Sequence, residues 1–322
     1  MLKRLFVLLV GIFIVLFSTI LPAFSYDFGD QKSVTLATKA WNALSKNDVE
    51  AAIAYTNKCI ELSKGKYLVI LHSDDMLLPN FAQRLVPLLD YYSRVGMAVG
   101  ERMITDESGV FEAISPFYNT NCIVPGLKQA KVFMMTSFLP CQVLVRREVF
   151  EKIGGVDERH IVNLDGLLWF KCALQRDVAY VQDPVSVYRF HHGQTTAQYN
   201  LNINHMMEYY CTLTAMFKLG QNIPYLRHHF DDAVRRTAEI TVRYCWDVIK
   251  NKNYELARRY LMLAAVFYPE ISEHHQYQKI EKHLNSTTGG QYEISKELVS
   301  ANNNSRDRGF SYDPPEESVV ID

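Results

Sequence analysis

With 322 residues, 48% of them hydrophobic, the chain can bury one large core or two modest ones. Its 34 basic and 35 acidic residues leave a net charge of -1, which excludes a strong nucleic-acid footprint or a polybasic membrane-binding face. The six cysteines (Cys59, Cys122, Cys141, Cys172, Cys211, Cys245) are spread without a CxxC pair, which argues against a zinc site. Cys59, Cys172 and Cys211 sit in helical apolar patterns, where a buried free thiol is the common state.

Residues 1–25 form the first segment. Lys3 and Arg4 precede an uncharged apolar run from Leu5 to Leu21, and Ala23-Phe24-Ser25 has the small-x-small form of a cleavage site. The pattern predicts a secretory signal peptide or, since the run has nearly the length of a span, a membrane anchor over residues 5–21. The protein is then exported or membrane-anchored, and cytoplasmic only if this leader is not part of it. Residues 26–63 follow as a helical pair. Leu36, Ala37, Ala40, Trp41 and Leu44 recur at helical spacing, Lys46-Asn47-Asp48 breaks the run, and Ala51, Ala52, Tyr55, Cys59 and Leu62 resume it. This pair resembles a single tetratricopeptide-type unit, which cannot bury its own face and must lean on something else.

From 64 to 200 the reading is α/β. Tyr67-Leu68-Val69-Ile70-Leu71 reads as a strand buried on both faces, and it ends in His72-Ser73-Asp74-Asp75. Ligands of open α/β sheets sit at the carboxyl ends of such strands. Two adjacent carboxylates repel each other, so a divalent cation between them and an anionic substrate relieves the cost; a solvated turn is the plain alternative. A helix is predicted from Asn80 to Ser93, a strand from Val95 to Met103 and an irregular, mobile loop from Phe111 to Phe138, which holds Pro116, Pro125 and Gly126. Further expectations are a short strand at Cys141 to Arg146, a helix at Glu148 to Ile153 closed by Gly154-Gly155, a helix at Gly166 to Leu174 and a strand at Val178 to Val181. Residues 201–284 read as helical, with a second tetratricopeptide-like stretch from Tyr254 to Pro269. Residues 285–322 are rich in Ser, Thr, Gly, Asn and charge, and are expected to be disordered.

Several phrases between Gly65 and Thr196 stand in a telling order. They are Gly65-Lys66-Tyr67 leading into Ser73-Asp74-Asp75, Val145-Arg146-Arg147-Glu148-Val149-Phe150, Ile153-Gly154-Gly155-Val156-Asp157-Glu158, Asp165-Gly166-Leu167-Leu168-Trp169-Phe170-Lys171 and Tyr188-Arg189-Phe190-His191. In this order the stretch resembles the family 2 glycosyltransferases of the GT-A type. The resemblance implies a partial GT-A (Rossmann-like) mixed sheet flanked by helical regions. It also implies transfer of a sugar from a nucleotide-sugar donor to a glycan, lipid or protein acceptor, with no nucleic-acid partner.

The same resemblance implies roles for single residues. Asp74 and Asp75 match the acid pair that holds a Mn²⁺ or Mg²⁺ against the donor diphosphate, and hard oxygen ligands suit such a cation. Asp165 matches the base that deprotonates the acceptor hydroxyl in an inverting displacement, a task for a carboxylate whose pKa burial has raised. A helix N-cap is its structural alternative. His191 matches the histidine that approaches the metal, although its doublet with His192 blurs which of the two acts. Arg189 is a candidate phosphate holder, and His72 a candidate for the pocket wall.

Two departures stand out. Leu164 occupies the position where members of the family often carry a second acid, and no Pro-x-Tyr-Asn-type opening or first Asp-Asp occurs between Tyr26 and Ser63. The nucleoside-gripping half of the family's domain is therefore missing from its usual place, and the sheet is expected to show an open edge beside Tyr67–Leu71 unless the helical pair or another chain covers it. The rival reading is a catalytically inactive exported or anchored interaction protein that binds through its helical regions.

Overall fold

A computed structural model describes residues 13–16, 39, 49–72, 74–106, 109–157, 163–191, 203–286 and 309–322. Two compact units divide the chain. One runs to His191 and takes in the C-terminal residues from Asp307; the other holds His192–Arg306. The division falls at His191 rather than at 200, and the last residues return to the first unit instead of forming a separate tail.

The first unit is built on one mixed sheet in the order β1-β2-β7-β4-β8-β6-β9, with β3 added to β8 and β5 to β4. The strands are β1 Phe13–Leu16, β2 Tyr67–Leu71, β3 Met76–Leu77, β4 Val95–Thr105, β5 Phe111–Ala113, β6 Cys122–Val124, β7 Val143–Arg146, β8 Asp177–Arg189 and β9 Val319–Val320. Among the described residues β4 and β8 run parallel and the other strand pairings are antiparallel. As the unbroken apolar run of β2 predicts, Tyr67, Leu68, Val69 and Ile70 are all buried. Phe81, Leu85 and Leu89 of helix Phe81–Tyr91 recur every fourth residue and pack on Tyr67, Val69, Val95 and Val185. The Arg146 guanidinium donates to the carbonyls of Leu89, Tyr92 and Val95, so it closes the end of that helix. Arg147 donates to the Gly65 carbonyl and the Ser63 hydroxyl, which ties the approach to β2.

The open edge beside β2 is covered. Phe13–Leu16 pairs with it antiparallel, Phe13 opposite Leu71 and Leu16 opposite Leu68. Of the apolar leader only these four residues are described, and no described helix is long and apolar enough to cross a membrane. In the expected helical pair, the first helix lies outside the described residues apart from Lys39. The second is helix Val49–Leu62, and Asn57 there exchanges hydrogen bonds with the backbone of Val156 at 2.8 and 3.0 Å. Gly155 explains that fit. Its φ is +64°, and a Cβ at this position would stand 2.5 Å from Asn57 Oδ1. Gly154, at φ +76°, caps helix Arg147–Ile153 as its position foretells.

Two expectations fail in this unit. The stretch from Phe111 to Phe138 is not a structureless loop: it contributes β5, β6 and helix Gly126–Phe133, and it buries Phe117, Tyr118, Phe133 and Phe138. A three-residue strand is too short to show a period, and Pro125, which reads as a breaker, stands at the N-cap of the helix. Nor is 309–322 disordered, since Val319 and Val320 pair with Ile123 and Cys122 and Ile321 packs against the sheet core. Backbone pairing compensates for a polar composition there. Residues 287–308 lie outside the described residues.

The second unit is helical, as its periodicity predicts. Helices Asn204–Gly220, Pro224–His228, Phe230–Lys250, Tyr254–Phe267 and His275–Ser286 enclose a core that includes Val242, Cys245, Tyr260 and Ile280.

Candidate active site

The polypeptide leaves β2 at Leu71 and turns through His72 to Asp75, where the Asp75 N–H donates to the His72 carbonyl at 3.2 Å. It re-enters the sheet as β3, with Met76 opposite Val187 on β8. Both acids are therefore held in a tight turn at the carboxyl end of a buried strand, as the sequence pattern requires. Asp75 points inward and is 6% exposed. Its Oδ1 accepts the Arg189 N–H at 3.1 Å, whereas Oδ2 is buried without a hydrogen-bond partner among the described residues. Burial, seconded by the charge of Asp74, pushes the Asp75 carboxyl up to about 7. The Arg189 amide, the Cys141 thiol and the Arg102 guanidinium oppose that rise without cancelling it.

The donor set around this oxygen could hold a cation. One ligand atom each from His72, Asp74 and Asp75 lies within 4.8 Å of the others, and His72 Nδ1 is 3.9 Å from Asp75 Oδ2. Ligands bound at about 2.1–2.6 Å to one cation are separated by roughly such distances. His191 joins from the end of β8, its Nε2 3.0 Å from Asp74 Oδ2. The residues present thus fit a divalent metal: a buried carboxylate oxygen without a hydrogen bond among the described residues, a second carboxylate and an imidazole. His192 lies outside the described residues. Arg189 takes part through its backbone N–H, and as a residue it is exposed.

Asp165 occupies the first turn of helix Leu164–Ala173, whose N-cap is Asn163, so it is not the capping residue. Its Oδ1 accepts the Gly166 N–H at 2.9 Å and its Oδ2 the Ser137 hydroxyl at 3.4 Å. Burial outweighs these donors and pushes its carboxyl up to about 6. One short segment links the two acidic centres. Ser137 touches Asp165, and four residues later the Cys141 thiol interacts with the Asp75 carboxylate. Four residues span at most about 14 Å from Cα to Cα, so the two carboxylates border opposite ends of one short segment. Gln142 holds that segment, accepting from Arg102 and from the Leu139 N–H and donating to the Gly100 carbonyl.

Sequence reasoning missed this support. Glu101, 1% exposed, accepts from the Phe117 N–H at 2.6 Å and the Tyr180 hydroxyl at 2.7 Å. Its signal was a lone acid directly after the apolar run Val95–Gly100, a position that demands buried donors. Ser137 and Cys141 carried no such signal.

No protein-family model matches the chain. Over 160 residues it is 26% identical to a protein of Rickettsia prowazekii (strain Madrid E) described as the uncharacterized glycosyltransferase RP339. The match takes in 47% of this chain and 46% of that protein, so the chain spans about half the length of the curated relative. Among solved structures, residues 1–349 of S. aureus TarS align over 76% of this chain and 74% of theirs, with 10% identity and a TM-score of 0.38. The fold therefore rests on the topology described above and not on that likeness. The chain is similar to a glycosyltransferase.

Proposed function

We propose that the protein is a metal-dependent, inverting glycosyltransferase of the GT-A type, family 2, that moves a sugar from a nucleotide-sugar donor to an acceptor hydroxyl. The observation that carries this reading is the buried, unpartnered Oδ2 of Asp75 beside His72 and Asp74. His72, Asp74 and Asp75 would hold Mn²⁺ or Mg²⁺, with His191 in support. Bound there, the cation supplies positive charge against the donor diphosphate.

Asp165 acts on the acceptor. With its carboxyl up at about 6, it is ionised at neutral pH yet basic enough to take the proton of a hydroxyl as that oxygen attacks the anomeric carbon. In the displacement the bond to the acceptor oxygen forms, the bond to the nucleotide oxygen breaks, and the proton ends on Asp165. Arg189 and the wall around His72 are the proposed contacts for donor phosphate. The acceptor is a glycan, lipid or protein hydroxyl, and no nucleic acid takes part.

Calorimetry with Mn²⁺ and a panel of uridine and guanosine diphosphate sugars tests this reading, wild type against Asp75→Ala. Mn²⁺-dependent donor binding by the wild type alone is expected. Equal, metal-independent behaviour of the two proteins removes the proposal. The rival interaction-protein reading draws on Met207, Met262 and Val266, all strongly exposed on the helical unit. It is favoured if the wild type binds no donor. Residues 1–25 are proposed as an export leader or anchor, a role that would take Phe13–Leu16 away from β2 and reopen that sheet edge; the intact mass of the protein recovered from its host separates cleavage before Tyr26 from retention.

A further inference from the structure

The C-terminal residues 309–322 lie along the part of the first unit that frames Asp165. The Tyr312 N–H donates to the Phe117 carbonyl at 2.8 Å, and the Asn119 N–H donates to the Tyr312 carbonyl at 2.9 Å. Asn119 Nδ2 also reaches Asp313 Oδ1 at 2.5 Å, Lys128 pairs with Glu317 at 2.9 Å, and the Ile321 N–H donates to the Asn121 carbonyl at 3.1 Å. Most of these contacts meet the run Phe117–Asn121.

From Tyr312 a continuous chain of contacts reaches the acid. The Tyr312 ring lies 5.2 Å from that of Phe117, which lies 5.0 Å edge-on from that of Phe138. The Phe138 carbonyl accepts the Trp169 indole N–H at 2.9 Å, one turn beyond Asp165 on the same helix. The residue before Phe138 is Ser137, whose hydroxyl meets Asp165 Oδ2. On its backbone side Phe117 is pinned by Glu101 and by the Tyr180 hydroxyl. Its ring is packed by Phe138 on one side and Tyr312 on another. Aromatic contacts of this kind favour particular ring geometries, and so bias the loop that carries them.

We propose that residues 309–322 form a positioning strap, and that Tyr312 sets the Phe117–Phe138 stack and through it the placement of Asp165. The proposal rests on the reading of Asp165 as the base, but its physical content is tested without any donor. Tyr312 is 41% exposed, so trimming it leaves the core intact while uncovering Phe117. The test compares full-length wild type with Tyr312→Ala, Tyr312→Phe and, as an edge control, Val320→Ala, by hydrogen exchange resolved along the chain. Tyr312→Ala is expected to speed exchange at 136–140 and 165–168 at least tenfold and to leave helix Phe81–Tyr91 unchanged. Tyr312→Phe should match the wild type, and Val320→Ala should act only on 119–124 and 317–322. Faster exchange in Tyr312→Ala confined to 309–322 and 117–121 overturns the strap.

With a turned-over donor, Tyr312→Ala should lower kcat, normalised to the folded fraction read by circular dichroism, roughly tenfold at unchanged donor KM and Mn²⁺ affinity. A rise in KM with kcat kept also overturns it. If exchange spreads to 165–168 while the wild type binds no donor, the transferase reading falls and the strap stands.

Discussion

The turn after β2 carries a buried carboxylate and the first turn of helix Leu164–Ala173 a half-buried one, both with pKa raised by desolvation, yet the two differ in their surroundings. Asp75 has a second acid beside it and a buried oxygen without a hydrogen-bond donor among the described residues, so its charged form is costly and a cation would relieve that cost. Among the described residues no acid shifts Asp165; the Gly166 N–H meets one of its oxygens, and the Ser137 hydroxyl, shared with the Phe138 carbonyl, stands 3.4 Å from the other. The same functional group becomes a ligand in one place and a base in the other because its neighbours differ.

Four measurements would break or sharpen that contrast. The largest effect is expected from Asp165→Asn, which should lower turnover by roughly 10²–10⁴-fold while leaving Mn²⁺ affinity unchanged. Loss of metal affinity in that variant would merge the two centres into one. In the wild type, turnover should rise with pH through about 6 as Asp165 loses its proton.

Next in size is the metal-free stability of Asp75→Asn. A carboxyl near 3.9 when unfolded and at about 7 when folded favours the fold only while protonated. Its contribution is full below pH 4 and is lost as pH rises through 7. Chemical denaturation should therefore show the apo wild type weakening from pH 4 to 8, and Asp75→Asn more stable than it at pH 8, on the order of 2–4 kcal/mol. Saturating Mn²⁺ should restore the wild type but not the variant. A flat wild-type profile would mean that Asp75 carries no unpaired charge. The smallest effect is His191→Ala, which touches the cluster only through Asp74 and should weaken Mn²⁺ binding about tenfold by titration.

Much of this contrast was legible in advance where it depended on local pattern. An aliphatic run ending in two acids predicts a buried strand and a ligand at its carboxyl end, and the structure brings His72, Asp74, Asp75 and His191 to one place there. Gly154 was readable as a helix stop for the same reason, since a positive φ is a demand on a single residue. Asp165 was readable as an acid at a helix start, but its partner Ser137 lies 28 residues away in a stretch that looked irregular. No periodicity announces a three-residue strand such as β6, or a carboxyl-terminal segment that pairs with it.

Taken alone, the sequence determined the α/β character of the first unit, the helices of the second and the clustering of acids after β2, because hydrophobic period and turn chemistry act over a few neighbouring residues. Only the tertiary structure decided which oxygen of Asp75 is left without a partner, which loop holds Asp165, and that Tyr312 packs on Phe117. Those outcomes depend on desolvation and on contacts between residues far apart in the chain, which no short window of residues encodes.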